Sequence, residues 1–185
     1  MLRRALRFVI VPVVLVAVSL QAQVIPTPAE FAGHQIGADK KLVRWDKLVE
    51  YFQLVDRASD RVLVQELGKT TLGNPFILAV ISSPANLQRL DELKKIQRQL
   101  AYPYELDEAA ADRLIARGKT VLLITCSIHA SEIGANQMTL ELLHRLATEK
   151  SPFVQNILDN MVFLLVPSLN PDGQIMVVAW SNKNV

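Results

Sequence analysis

Two continuous apolar runs, TVLLI at residues 120–124 and MVFLLV at residues 161–166, constrain the fold of this chain more than any other feature. Continuous rather than alternating apolar residues are typical of strands that are covered on both faces. Helical periodicity fills the stretch between them and predicts helices at residues 134–148 and 152–160. A strand, a helical crossover and a second strand predict a parallel pair joined by a right-handed connection. The fold class that follows is α/β.

The residues before the first run also divide into predicted elements, from apolar spacing and from glycine and proline positions. In chain order they are an extended lead-in at residues 23–43, a helix at 44–59, strands at 61–67 and 75–81, and helices at 84–98 and 107–117. The glycine-containing turn between the two strands predicts a hairpin.

The residues that carry chemistry lie just after the two apolar runs. His129 and Glu132 follow the first run, and Asn170 to Gly173 (NPDG) follow the second. Ligands of parallel sheets gather beyond the carboxyl ends of the strands, so we expect both segments at one edge. A histidine past a strand and a carboxylate at the next helix start can converge on one ion, and both are zinc ligands.

The spacing of His129 and Glu132 also has a purely structural explanation. A glutamate three residues after a histidine arises readily by chance, and Ser131 could cap a helix whose positive end favours Glu132. The other histidines do not complete a site, because His144 is predicted on the apolar face of a helix and His34 in the lead-in. A catalytic zinc normally takes three protein ligands, and this chain shows two.

Two further interpretations concern the same loops. Cys126 and Ser127 could provide a nucleophile with His129 as base, but no G-x-S-x-G elbow surrounds them and Cys126 adjoins an apolar strand. The NPDG segment is by itself a good turn, because proline presets one dihedral and glycine takes a position that a side chain would obstruct. It could also place Asn170 or Asp172 next to the ligands of a metal, where either side chain would orient a ligand.

The N-terminus has the pattern of a secretory signal peptide. Three arginines within the first seven residues precede an uncharged apolar run at residues 8–20, and small Ala22 offers a cleavage position. The run is shorter than the roughly 20 residues that a membrane-spanning helix needs. We therefore predict removal of residues 1–22 and export to the periplasm or the outside, without stable membrane insertion. Loss of the arginines changes the net charge from +2 to −1, which gives no electrostatic case for nucleic acid.

Taken in order, these residues resemble the M14 zinc carboxypeptidases. A strand, IHASEIGANQ, a helix, a second strand and LNPDG follow the family's order, and residues 68–84 are similar to a bacterial secreted branch. The resemblance covers roughly residues 31–178. It implies an α/β sandwich around a mixed, largely parallel sheet, of which this chain forms part. It also implies one zinc bound by His129, Glu132 and a later histidine, with hydrolysis of C-terminal bonds in a peptide or protein substrate.

The resemblance implies further residues that this sequence does not supply. In the family the third zinc ligand, the general-base glutamate and the arginines that bind the substrate come later than Val185. We therefore expect residues 44–185 to be the incomplete N-terminal part of a carboxypeptidase domain, with no catalytic residue, weak zinc binding and no peptidase activity. Two alternatives stay open: a noncatalytic relative that binds peptides or cell-wall material, and a zinc deacylase or amidase of the same fold.

Overall fold

The computed structural model describes residues 24–185 of the 185-residue chain, so the predicted signal peptide at residues 1–22 lies outside the described residues and stays a prediction. The helices are α1 (Pro28–Ala32), α2 (Trp45–Ala58), α3 (Pro84–Leu87), α4 (Leu90–Ala101), α5 (Glu108–Arg117), α6 (Ile133–Thr148), α7 (Pro152–Asn160) and α8 (Pro171–Asn184). The strands are β1 (Val62–Lys69), β2 (Pro75–Ile81), β3 (Thr120–Thr125) and β4 (Met161–Val166). Among these described helices, none has the length and hydropathy needed to cross a membrane.

The strands form one mixed sheet in the order β1-β2-β4-β3. β3 and β4 are parallel, with Thr120 opposite Met161 and Thr125 opposite Val166. β1 with β2 and β2 with β4 are antiparallel. α6 and α7 lie between the parallel strands in sequence, as the predicted crossover requires. The α/β fold class, the hairpin and the parallel pair are therefore confirmed.

Helices pack on both faces of the sheet, and each face has its own apolar core. Side chains alternate along β2, so Ala79 and Ile81 pack in a core with α2 and α6, whereas Val80 packs in a smaller core with α4. The fully buried members of the larger core include Leu48, Phe52, Val55, Leu143, Leu158 and Leu165. Because it holds most of the buried apolar side chains, the larger core contributes most of the hydrophobic stabilisation, at about 1.5–3 kcal/mol for each large side chain.

The predicted extended lead-in contains a short helix, α1. Thr27 Oγ1 accepts a hydrogen bond from the Glu30 N–H (3.2 Å), and the Thr27 N–H donates to the Glu30 carboxylate (2.8 Å). This capping box is joined by Pro28 at the first helical position, and Gly33 ends the helix in the left-handed region at φ 74°. The prediction of an extended segment was wrong for residues 28–32, because T-P-A-E is a helix-start signal.

The NPDG segment begins a helix instead of forming an isolated turn. Asn170 is the cap residue of α8 and Pro171 takes its first helical position. The backbone N–H of the first helical residue has no partner within the helix, and proline lacks that N–H. Asparagine followed by proline therefore favours a helix start as much as a turn. The prediction of a simple turn was therefore wrong.

The helix predicted at residues 84–98 is divided into α3 and α4, and the second part continues to Ala101. The buried Asn86 amide donates to the carbonyls of Leu158 and Asp159, which holds α3 against the end of α7. Arg89 then leaves the helical conformation, with φ −115° and ψ 23°. Tertiary hydrogen bonds thus interrupt a stretch that local propensity makes continuous.

β3 is not covered on both faces, contrary to the prediction. Within residues 24–185 it pairs only with β4, and Val121, Leu122 and Leu123 are 40%, 39% and 59% exposed. β4 pairs on both sides and is mostly buried. A continuous apolar run therefore identified the strand correctly, but β3 forms an apolar edge of the described sheet.

We expect this apolar edge to cause self-association, because unpaired strand edges and exposed apolar faces pair with other chains. Leu123→Lys should shift the chain toward monomer in sedimentation velocity at matched concentration. Tyr104→Lys, which alters an exposed aromatic residue between α4 and α5, should leave the distribution unchanged. A monodisperse monomer with a sharp thermal transition for the unaltered chain would contradict this expectation.

Candidate metal centre

The carboxyl ends of β3 and β4 meet at one edge of the sheet, as their parallel pairing requires. The loop between β3 and α6, residues 126–132, stays bonded to the segment that follows β4. The Cys126 N–H donates to the Val166 carbonyl (3.0 Å), and the Leu169 N–H donates to the Cys126 carbonyl (2.8 Å). The β3–α6 loop therefore leaves the sheet from a fixed point.

Ser127 gives the β3–α6 loop its sharp bend. Its φ is 52°, in the left-handed region that residues other than glycine rarely adopt. Its buried hydroxyl donates to the Glu132 carbonyl at 2.7 Å. The Glu132 N–H in turn donates to the His129 carbonyl at 3.1 Å, which closes a β-turn. This folding back brings residues 129 and 132 side by side.

His129 and Glu132 meet through two contacts. His129 Nδ1 lies 2.8 Å from Glu132 Oε1, and the His129 backbone N–H donates to Glu132 Oε2 at 3.0 Å. The His129 ring and then its backbone N–H hold the pKa of the Glu132 carboxyl below its usual value, so this group is ionised at neutral pH. The two side chains are 76% and 46% exposed, so the pair is open to a ligand from solvent.

This pair fits part of a zinc site. An imidazole nitrogen and a carboxylate oxygen are ordinary zinc ligands, and the two donor atoms already face each other. The part of the chain that the structure describes holds no group of three or more His, Cys, Asp or Glu side chains that could bind a metal. Ser131 does not cap α6, because the helix begins at Ile133, Glu132 is its cap residue and no side chain makes a cap hydrogen bond. The assignment of His129 and Glu132 as metal ligands stays a prediction.

Asn170 connects the first turn of α8 to the β3–α6 loop. Its Oδ1 accepts a hydrogen bond from the Gly173 N–H (2.9 Å), which caps the helix. Its Nδ2 donates to the carbonyl of Ile128 (3.2 Å), one residue before His129. The structure thus brings Asn170 against the loop that carries the candidate ligands.

Asp172 instead faces the turn between β1 and β2. Its Oδ1 accepts hydrogen bonds from Thr70 Oγ1 (2.6 Å) and Asn74 Nδ2 (2.8 Å), and its Oδ2 accepts one from the Leu72 N–H (3.1 Å). These hydrogen bonds hold the pKa of the Asp172 carboxyl below its usual value, and the bond from Thr70 has the largest effect. The structure does not bring Asp172 to His129; it shows a carboxylate that ties α8 to the hairpin.

The remaining candidates do not join the pair. Burial raises the pKa of the Cys126 thiol, and the Ser127 hydroxyl is already donated to a carbonyl, so neither is an activated nucleophile. His144 is half-buried in α6, as predicted, and His34 Nδ1 lies 3.0 Å from the Gln35 carbonyl.

Residues 48–184 match the family model of the zinc carboxypeptidases, peptidase family M14. The match covers well over half of the chain, so this chain belongs to the M14 zinc carboxypeptidase family.

Solved carboxypeptidase structures share its fold. Carboxypeptidase A from Helicoverpa armigera aligns at 18% identity and a TM-score of 0.52, over 81% of this chain and 32% of that chain. Bovine thrombin-activatable fibrinolysis inhibitor, solved with a tick carboxypeptidase inhibitor, aligns at 15% identity and a TM-score of 0.51, over 77% and 36%. The chain thus spans about a third of the length of these two structures. The sequence has no significant match among curated proteins.

Asp172→Asn should lower the free energy of unfolding at neutral pH, because an amide cannot accept all three hydrogen bonds that the carboxylate accepts. The folded-state pKa of Asp172 is depressed, so its contribution is complete above its ordinary pKa of 3.8 and is lost as the pH falls through the lower value. The difference between wild type and variant, measured by urea unfolding, should therefore shrink from about pH 6 to about pH 2.

Asp91→Asn is the matched control, because this exposed carboxylate lies 3.7 Å from Lys94 and makes no comparable set of bonds. It should change stability little at either pH. If Asp172→Asn lost the same free energy of unfolding at both pH values, the stabilisation would not depend on the charge of the carboxylate.

Proposed function

We propose that His129 and Glu132 are two ligands of the catalytic zinc of a metallocarboxypeptidase that cleaves C-terminal bonds of peptide or protein substrates. One observation carries the proposal: His129 Nδ1 and Glu132 Oε1 converge to 2.8 Å beyond the carboxyl end of β3. Membership of the zinc carboxypeptidase family supplies the chemical context.

Glu132 offers a ligand atom in a suitable protonation state. The β-turn and the hydrogen bond to the backbone N–H keep the Glu132 carboxylate beside the His129 ring. The lowered pKa keeps Glu132 ionised at neutral pH, so it binds a cation without first losing a proton. A bound zinc would supply Lewis-acid chemistry, by polarising a carbonyl and lowering the pKa of a water molecule.

The rest of the catalytic machinery is proposed to come from chain beyond Val185, where the family resemblance places the third histidine ligand and the general-base glutamate. The absence of a three-residue metal cluster within residues 24–185 supports this division. We therefore expect these 185 residues alone to bind zinc weakly and to hydrolyse no peptide.

We also propose that the protein is exported to the periplasm or the outside. The basic start, apolar run and small residue within residues 1–22 support a signal peptide. Substrates would then be peptides present in that compartment.

Zinc binding by the full 185-residue chain tests the ligand assignment. His129→Ala and Glu132→Gln should each weaken zinc binding roughly tenfold or more in equilibrium dialysis, because a two-ligand site loses half its donors. His144→Ala is the matched control in α6 and should leave the affinity unchanged. Unchanged zinc affinity in both His129→Ala and Glu132→Gln would contradict the assignment of these residues as ligands. Chelator-sensitive release of C-terminal residues by this chain alone would overturn the proposal that later residues are required.

A further inference from the structure

The first turn of α8 touches the β3–α6 loop on both sides of His129. The Asn170 side chain donates to the Ile128 carbonyl, immediately before His129. Gly173 faces Ala130, immediately after it. The His129 side chain itself is 76% exposed, so its orientation depends on how the backbone on either side is held.

Gly173 is required here because a side chain would not fit between α8 and the loop. Its backbone conformation does not require glycine, since its φ is not positive. A Cβ at position 173 would lie 2.8 Å from Ala130 Cβ and 2.7 Å from Asn170 Nδ2. Ala130 cannot yield by rotating a side chain, and the Asn170 amide is fixed by the cap and by Ile128. A side chain at this position would therefore displace the loop.

We infer that Asn170 and Gly173 are positioning residues for the His129–Glu132 pair: one tethers the loop before His129, and the other lets it seat against α8 after His129. The inference rests on the proposed zinc site and goes beyond it, because neither residue supplies a ligand. A ligand pair on a loop binds metal more tightly when its geometry is fixed before binding.

Asn170 has two separable roles, and one substitution divides them. Asn170→Asp keeps an oxygen at the helix cap, where aspartate ranks with asparagine, but an ionised carboxylate cannot donate to the Ile128 carbonyl. Asn170→Ala removes both the cap and the tether. A residue that acts only as a cap would make Asn170→Asp indistinguishable from wild type.

Gly173→Ala tests the close approach, with Gly134→Ala as its matched control. Both replace a helical glycine, and a Cβ at position 134 would meet nothing within 4 Å. Helix propensity alone makes each change stabilising. Any loss that is specific to position 173 therefore reports the contact with the loop.

Two measurements on the full chain read out positioning. One is zinc affinity, and the other is amide exchange without metal at His129, whose N–H is bonded to Glu132 Oε2. The Cys126 amide, bonded to the Val166 carbonyl, is the reference for general loosening. We expect Asn170→Asp and Gly173→Ala to weaken zinc binding roughly tenfold or more and to speed exchange at His129 but not at Cys126.

Wild-type affinity and His129 exchange in Asn170→Asp, together with Gly173→Ala behaving as Gly134→Ala, would overturn the inference. If zinc binding by wild type does not depend on His129 or Glu132, the proposed function fails instead. Exchange then decides the positioning claim by itself: faster exchange at His129 supports it, and unchanged exchange overturns it.

Discussion

The parallel pairing of β3 with β4 is the constraint on which the rest of this structure depends. Thr125 lies opposite Val166, so the two strands end together and their loops emerge side by side. A parallel pair needs a long crossover, which α6 and α7 provide, and α6 supplies much of the larger core. The same pairing that buries β4 therefore also determines where the β3–α6 loop and Asn170 can meet.

NPDG then contacts two segments that are distant from it in the sequence. Asn170 bonds to the β3–α6 loop, Asp172 bonds to the hairpin turn, and Gly173 permits close contact with Ala130. The cost is a bend at Ser127 in a sparsely populated backbone region, which its buried hydroxyl bond helps to maintain. Two solvent-exposed side chains can in this way have a defined geometry without being buried.

Patterning in the sequence was sufficient for the hairpin, for the parallel pair and for the location of the candidate site. Continuous apolar runs identify β3 and β4, and their parallel order places His129 and Asn170 at one edge. It was not sufficient for the exposure of β3, because an apolar run does not say which elements cover a strand. Nor could the sequence pattern predict the hydrogen-bond partners of Asp172, because these partners lie in a hairpin turn 100 residues away. The cap at Asn170 was readable, since asparagine before proline is a known helix-start pattern.

The central claim is that His129 and Glu132 bind one zinc ion together. Zinc-edge anomalous diffraction from crystals of the full chain grown with excess zinc tests it most directly. We predict an anomalous peak about 2.0–2.2 Å from both His129 Nδ1 and a Glu132 carboxylate oxygen. A zinc ion bound elsewhere, with Nδ1 still bonded to Glu132, would contradict the account.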